Sequence, residues 1–180
     1  MNMRIFFVFT VSMIFLASCA PLKERRIVIE ENRYYQCEPA STIQKKMVKL
    51  INTVRNSKRR CGRKTFLPAG NLKWNNKLAM AALSHARDMA MSDMLSHTGS
   101  DGSTVWERVE KKGYCWQVVA ENIAAGRQNS EGVVSLWLDS PGHCANLMKA
   151  DITEIGAACS RNPESTYGTY WTLVMGASGD

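Results

Sequence analysis

Residues 78–90 return their apolar side chains every three or four positions, at Leu78, Ala79, Ala82, Leu83, Ala86, Met89 and Ala90. That period gathers all seven on one face of an α-helix, whereas a strand alternates with a period of two. Four of the seven are alanine, so the helix can approach a neighbour closely. Asn75 or Asn76 supplies its cap, and the helix should end near Ser92. Whatever this chain folds into must offer a surface to that stripe.

A first helix is predicted upstream. Ser41 with Gln44 has the form of a capping box, and Ile43, Met47, Leu50, Ile51 and Val54 follow at helical spacing to about Ser57. The run Lys58-Arg59-Arg60-Cys61-Gly62 then puts cations and a glycine where a helix C-terminus favours them. Thr104 with Glu107 is a second capping box, opening a short helix that stops at Gly113. Residues 117–126 read as an extended segment. Ser130 is positioned to cap a further helix carrying Val133, Val134, Trp137 and Leu138, ended by Ser140-Pro141-Gly142. Two β-type runs, residues 155–160 and 170–176, flank a loop with Asn162, Pro163 and Gly168, which is the pattern of a hairpin. Helices first and strands last make an α+β domain with helices against an antiparallel sheet.

The N-terminus reads differently. Arg4 precedes an apolar run over residues 5–17, followed by Ser18 and Cys19. The run is shorter than the roughly 20 apolar residues a permanent membrane helix needs, and its small-residue end describes a cleaved secretory signal. Leu16-Ala17-Ser18-Cys19 also resembles the bacterial lipobox, which would make Cys19 the lipidated first residue of the mature chain. Ala20 after the cysteine fits delivery to the outer membrane where a cell has two. On this reading residues 1–18 are a signal peptide, 19–40 a polar tether and 41–180 one domain, exported and held at a membrane. Residues 23–64 carry 13 Lys and Arg against 4 Asp and Glu, whereas residues 65–180 carry 9 against 12. The pI near 9.2 therefore belongs to the N-terminal quarter. That weighs against nucleic acid as a partner and suits a tether and first helix beside an anionic membrane or another envelope lipid or polymer.

Besides Cys19 the chain has Cys37, Cys61, Cys115, Cys144 and Cys159. Outside the cytoplasm cysteines pair, and five leave one over. The absence of C-x-x-C weighs against a zinc ribbon or a thioredoxin-type centre. Of three histidines, His97 sits in the loop Ser96-His97-Thr98-Gly99-Ser100-Asp101-Gly102, and His143 in the helix-end loop Ser140-Pro141-Gly142-His143. Loops hold working residues more often than cores do. His85, inside the second helix, reads as an ordinary packing or helix-surface residue. Glu121 interrupts an apolar stretch, where a carboxylate is costly to bury unless a cation, a donor or a metal faces it. Neither H-E-x-x-H nor G-x-S-x-G occurs, and a triad of Ser140, His143 and Asp139 would require neighbours on one turn to converge on one atom. An enzyme is therefore the less favoured reading. Trp74, Trp106, Trp116, Trp137 and Trp171 read mostly as core, with Tyr114-Cys115-Trp116 open as the rim of a groove.

Seven segments in order carry a resemblance: Leu50-Ile51-Asn52-Thr53-Val54-Arg55, Leu72-Lys73-Trp74-Asn75, Leu78-Ala79-Met80-Ala81-Ala82, Ser96-His97-Thr98-Gly99, Ala120-Glu121-Asn122-Ile123-Ala124, Trp137-Leu138-Asp139-Ser140-Pro141-Gly142-His143 and Tyr170-Trp171-Thr172-Leu173. Together they resemble the CAP superfamily of cysteine-rich secretory, antigen 5 and pathogenesis-related 1 proteins, in its bacterial secreted branch. The resemblance implies a three-layer α-β-α sandwich with a cleft lined by two histidines and acidic residues. Position by position it assigns His97, Glu121 and His143 to the cleft. The family's fourth cleft residue, a Glu three positions after the tryptophan, falls on Ser140 here, with Asp139 beside it. The function this implies is an envelope-anchored binding module whose cleft takes a divalent metal, zinc first, on His97 and His143, or a small apolar or glycan ligand. Glu121 would orient a histidine through its second ring nitrogen. A hydrogen-bonded cluster in a structural protein and a metal-assisted peptidase stand as alternatives. The bacterial pattern also pairs Cys61 with Cys144; Cys115 with Cys159 is the second pairing expected, leaving Cys37 over.

Overall fold

The computed structural model describes residues 36–179, so the expected signal peptide, the expected lipidation at Cys19 and most of the expected tether lie outside the described residues. Four strands form the main sheet in the order β3-β5-β6-β4: β3 (Lys73–Trp74), β4 (Trp116–Ala125), β5 (Glu154–Arg161) and β6 (Thr169–Ser178). β5 and β6 are the expected hairpin, paired from Glu154↔Gly176 to Arg161↔Thr169. β4 lies antiparallel along the other side of β6, and β3 runs parallel to β5. A separate two-stranded ribbon joins β1 (Arg59–Cys61) to β2 (Lys64–Phe66).

Alternation along β6 divides the core in two. Trp171, Leu173 and Met175 face α1 (Ala40–Arg55) and α4 (Ser130–Asp139), where Ile43, Met47, Ile51, Val133, Val134 and Trp137 complete a buried cluster. Val174 and Tyr170 face α2 (Asn76–Ser92), meeting Leu78, Ala81, Ala82, Met89 and Ala90. Helices on both faces of one sheet give the three-layer α-β-α sandwich of an α+β fold. The alanine-rich stripe has its partner in β5: a Cβ added at Gly156 would sit 2.0 Å from the Ala79 backbone nitrogen, so the two backbones nearly touch. Asn75 caps α2, its side chain accepting from the Lys77 and Leu78 amides, and the Thr104–Glu107 capping box opens α3 (Val105–Glu110).

Several local expectations are corrected. α1 begins at Ala40, because the Pro39 carbonyl accepts from the Thr42 and Ile43 amides, and Ser41 caps nothing. Upstream contacts decide this: Cys37 is disulfide-bonded, and Glu38 accepts from Lys46 Nζ (2.6 Å) and from the Ser130 amide (2.8 Å). Asn129, not Ser130, caps α4. α1 ends at Arg55, whose buried guanidinium donates to the carbonyls of Gly70, Leu147, Lys149 and Ile152. The basic run after it is therefore not a helix terminus but the ribbon β1–β2, turning at Gly62 with φ +60°. Trp137 and Trp171 are core, but Trp106 and Trp116 are exposed. Cys61 pairs with Cys144 as expected, whereas Cys159 pairs with Cys37, and among the described residues Cys115 is the free, exposed cysteine. Cys115 lies just before β4 and Cys159 on β5, with β6 between those strands, so the second expected pair is separated by the width of a strand.

Candidate functional site

Adjacent residues on β4 point to opposite faces of the sheet. Glu121 is registered with Val174, on the α2 side, and Asn122 with Leu173, on the α1–α4 side. β4 is an outer strand, so these two side chains can organise material on either side of one edge.

On the α2 side, the Glu121 side chain is only 2% exposed and its oxygens are divided among cationic and donor groups. Arg108 Nη2 donates to Oε2 at 2.8 Å, and His97 Nδ1 meets Oε1 at 2.9 Å. His85 Nε2 lies 3.8 Å from the same Oε1. Arg108 also donates to the carbonyls of Ser103 (2.6 Å) and His97 (3.0 Å), so one buried guanidinium ties both ends of the 97–103 loop to the sheet. Asp88 on α2 fastens the loop's middle by accepting from the Ser100 amide and hydroxyl.

These contacts assign protons. Ser96 O and the Glu121 carboxylate only accept, so His85 carries its hydrogen on Nε2, donating to Ser96 O at 2.8 Å, and His97 carries its hydrogen on Nδ1. In a neutral ring the lone pair then falls on His97 Nε2, on a side chain 58% exposed. Burial holds His85 below the usual histidine range, against the pull of Glu121. His85 Nδ1 and Arg108 Nε are buried without a hydrogen-bond partner among the described residues, and both side chains line a polar cavity of about 200 Å³ with Ser84, Asp88 and Ser103.

On the other side, Asn122 Nδ2 donates to the His143 carbonyl (3.1 Å), and its Oδ1 accepts from Asn146 Nδ2 (3.0 Å). Both partners belong to α5 (Pro141–Leu147), which starts with proline in its first turn. His143 thus stands in the first turn of a helix instead of a helix-end loop. The Cys61–Cys144 disulfide secures the next residue, and Arg55 holds the far end through the Leu147 carbonyl. His143 is half-buried, and burial together with the nearby charge of His97 lowers its pKa.

Glu121 and His97 are therefore in contact on the α2 side, whereas His143 is tied through its carbonyl to Asn122 on the other side of β4. Ser140 instead ends α4 and starts α5, its carbonyl accepting from the Cys144 amide, and Asp139 is exposed at the end of α4. Among the described residues neither side chain hydrogen-bonds to the histidines or to Glu121. Arg108 and His85 are the members that sequence reasoning missed. His85 had a signal, because it falls on the stripe of Leu78, Ala82 and Met89. No group of three or more His, Cys, Asp or Glu among the described residues is arranged to hold a metal ion.

Known proteins carry the same architecture. An extracellular protein of Bacillus anthracis containing an SCP domain superposes with a TM-score of 0.62 at 22% identity, over 77% of this chain and 41% of that one. An outer surface protein of Borrelia burgdorferi gives 0.58 at 19% identity, over 88% and 96%. In sequence, the uncharacterised protein YkwD of Bacillus subtilis is 26% identical over 132 residues, covering 73% of this chain and 46% of that protein. The membrane protein YlbC of the same species is 30% identical over 90 residues, covering 50% and 26%, so this chain spans less than half the length of either curated relative. The model of the cysteine-rich secretory protein family, CAP, matches residues 48–175. With that match over most of its length, the chain belongs to the CAP family of cysteine-rich secretory proteins.

Proposed function

We propose that this is an exported binding protein whose cleft offers two imidazoles, His97 and His143, to a divalent cation, zinc being the first candidate. The observation that carries this reading is the employment of Glu121. A buried carboxylate paired with Arg108 uses its second oxygen to fix His97 by Nδ1, so that Nε2 is the ring nitrogen not engaged by Glu121. A carboxylate behind an imidazole is the usual support of a metal-binding histidine. His143, with its pKa lowered, is neutral at pH 7 and equally able to donate a lone pair. Two nitrogens suit an open, exchangeable ion whose shell water or ligand completes; a closed structural zinc centre takes four ligands. The ion would supply a Lewis-acid contact for a ligand's oxygen or nitrogen, while Glu121 and Arg108 keep His97 aimed.

Export is supported by the two disulfides, which persist in oxidising compartments, and by the extracellular and outer-surface origin of the structural matches. Lipidation at Cys19 would hold the cleft at the envelope. A second reading, a small apolar ligand, rests on a groove of about 570 Å³ between α1 and α2, lined by Ile43, Trp74, Met80, Leu83 and Ala158. Calorimetric zinc titration of the wild type and of His97→Ala/His143→Ala tests the first reading. Binding that disappears in the double variant is expected; identical traces would sink it.

A further inference from the structure

We propose that the β1–β2 ribbon is a docking surface for an anionic phospholipid bilayer. Between residues 39 and 87 the chain has twelve Lys and Arg and no Asp or Glu. Lys58, Arg59, Arg60, Arg63 and Lys64 fall within seven residues, and the fold mounts them on a ribbon whose turn is Gly62-Arg63. Lys58, Arg60, Arg63 and Lys64 are all exposed. Lys46 on α1, by contrast, pairs with Glu38 and Glu131. On the ribbon no carboxylate lies within ion-pair distance among the described residues. Arg60 Nε donates to the Gly62 carbonyl, and Lys64 Nζ rests 4.9 Å from the Phe66 ring centre. Asp139, two residues before Pro141, is the acid nearest in sequence to the ribbon's contact with α5, and it pairs with none of these cations.

The apolar component is what selects lipid. Leu67, directly after the ribbon, is 74% exposed, and Pro68 beside it is exposed too. Cations at phosphate level next to an aliphatic side chain suit the headgroup–acyl boundary, whereas a water-soluble polyanion has no place for Leu67. Each cation near an anionic leaflet strengthens attachment about fivefold, so four together give several hundredfold.

The ribbon is not free to swing. Cys61 is bonded to Cys144, and a Cβ at Gly62 would come within 2.9 Å of Pro141 Cβ. α5, and with it His143, follows the ribbon, so a bilayer that holds the ribbon sets the cleft's orientation to the surface. The surface depends neither on metal at the histidines nor on lipid at Cys19.

Hydrogen exchange of the full chain, read by mass spectrometry on vesicles of phosphatidylcholine and of phosphatidylcholine with phosphatidylglycerol, tests the idea. Amides 62–67 should exchange about tenfold more slowly on the anionic vesicles only, and high salt should reverse the protection. Arg60→Glu/Arg63→Glu/Lys64→Glu should raise the lipid needed for half-protection about a hundredfold. Unchanged exchange in α2 and β6 would show that this variant is folded. Leu67→Ser should weaken protection with the cations intact. Equal protection on neutral lipid, protection surviving charge reversal, or protection by a glycerol-phosphate polymer and not by vesicles would overturn the proposal.

Discussion

Replacing Arg108 by Met probes the centre of the site. Arg108 is 6% exposed and faces a carboxylate 2% exposed at 2.8 Å. Removing it leaves Glu121 buried with His97 as its remaining close donor and takes donors from the carbonyls of Ser103 and His97. Breaking one side of a buried pair costs about 3–5 kcal/mol. In a domain of this size about 4 kcal/mol lowers Tm by roughly 15 °C. Urea denaturation at neutral pH, disulfides intact, measures the loss. Arg108→Met/Glu121→Met removes both charges and should be more stable than Arg108→Met alone, because no uncompensated charge is left. A loss below about 1 kcal/mol for the single variant, or a double variant equal to the sum of the singles, would refute the buried clamp.

Other outcomes follow from the same geometry. Burial sets the folded-state pKa of His85 below its unfolded value of 6.5, so the unfolded chain takes up the proton first. Stability should be full above about pH 6.5 and fall as the pH drops below it, and denaturation midpoints of His85→Gln should fall less over that range. Cys115 should react with a maleimide in the native protein while the four bonded cysteines stay inert, and labelling at Cys37 would contradict the Cys37–Cys159 pairing. Gly156→Ala drives a methyl group to within 2.0 Å of Ala79 N, and circular dichroism should show loss of cooperative folding or a Tm drop of well over about 10 °C.

The layered fold was legible because its strongest signals are local. The α2 stripe names a buried face by its period, and the β-type runs at 155–160 and 170–176 read as strands without reference to anything distant. The basic run at residues 58–64 was misread for the opposite reason. Its conformation is set by a disulfide to Cys144, 83 residues on, and by Arg55 reaching four carbonyls, none of which leaves a local trace. Cys37 is a similar case: a polar, Pro-punctuated stretch reads as tether, yet Cys159 and Ser130 fasten its end to the domain. In the site, Glu121 announced itself by needing a cation, and His97 and His143 by position. Which cation answered was hidden, since Arg108 in a six-residue helix looks like any surface arginine.

The central claim is that Glu121 holds His97 with Nε2 free to accept a cation. With only three histidines, ¹⁵N-histidine labelling allows every ring nitrogen to be followed by NMR. Before metal, His97 should show its proton on Nδ1 and His85 on Nε2. On zinc addition, His97 Nε2 and one nitrogen of His143 should shift while His85 does not. A His97 ring protonated on Nε2, or zinc-dependent shifts confined to other groups, would contradict the account.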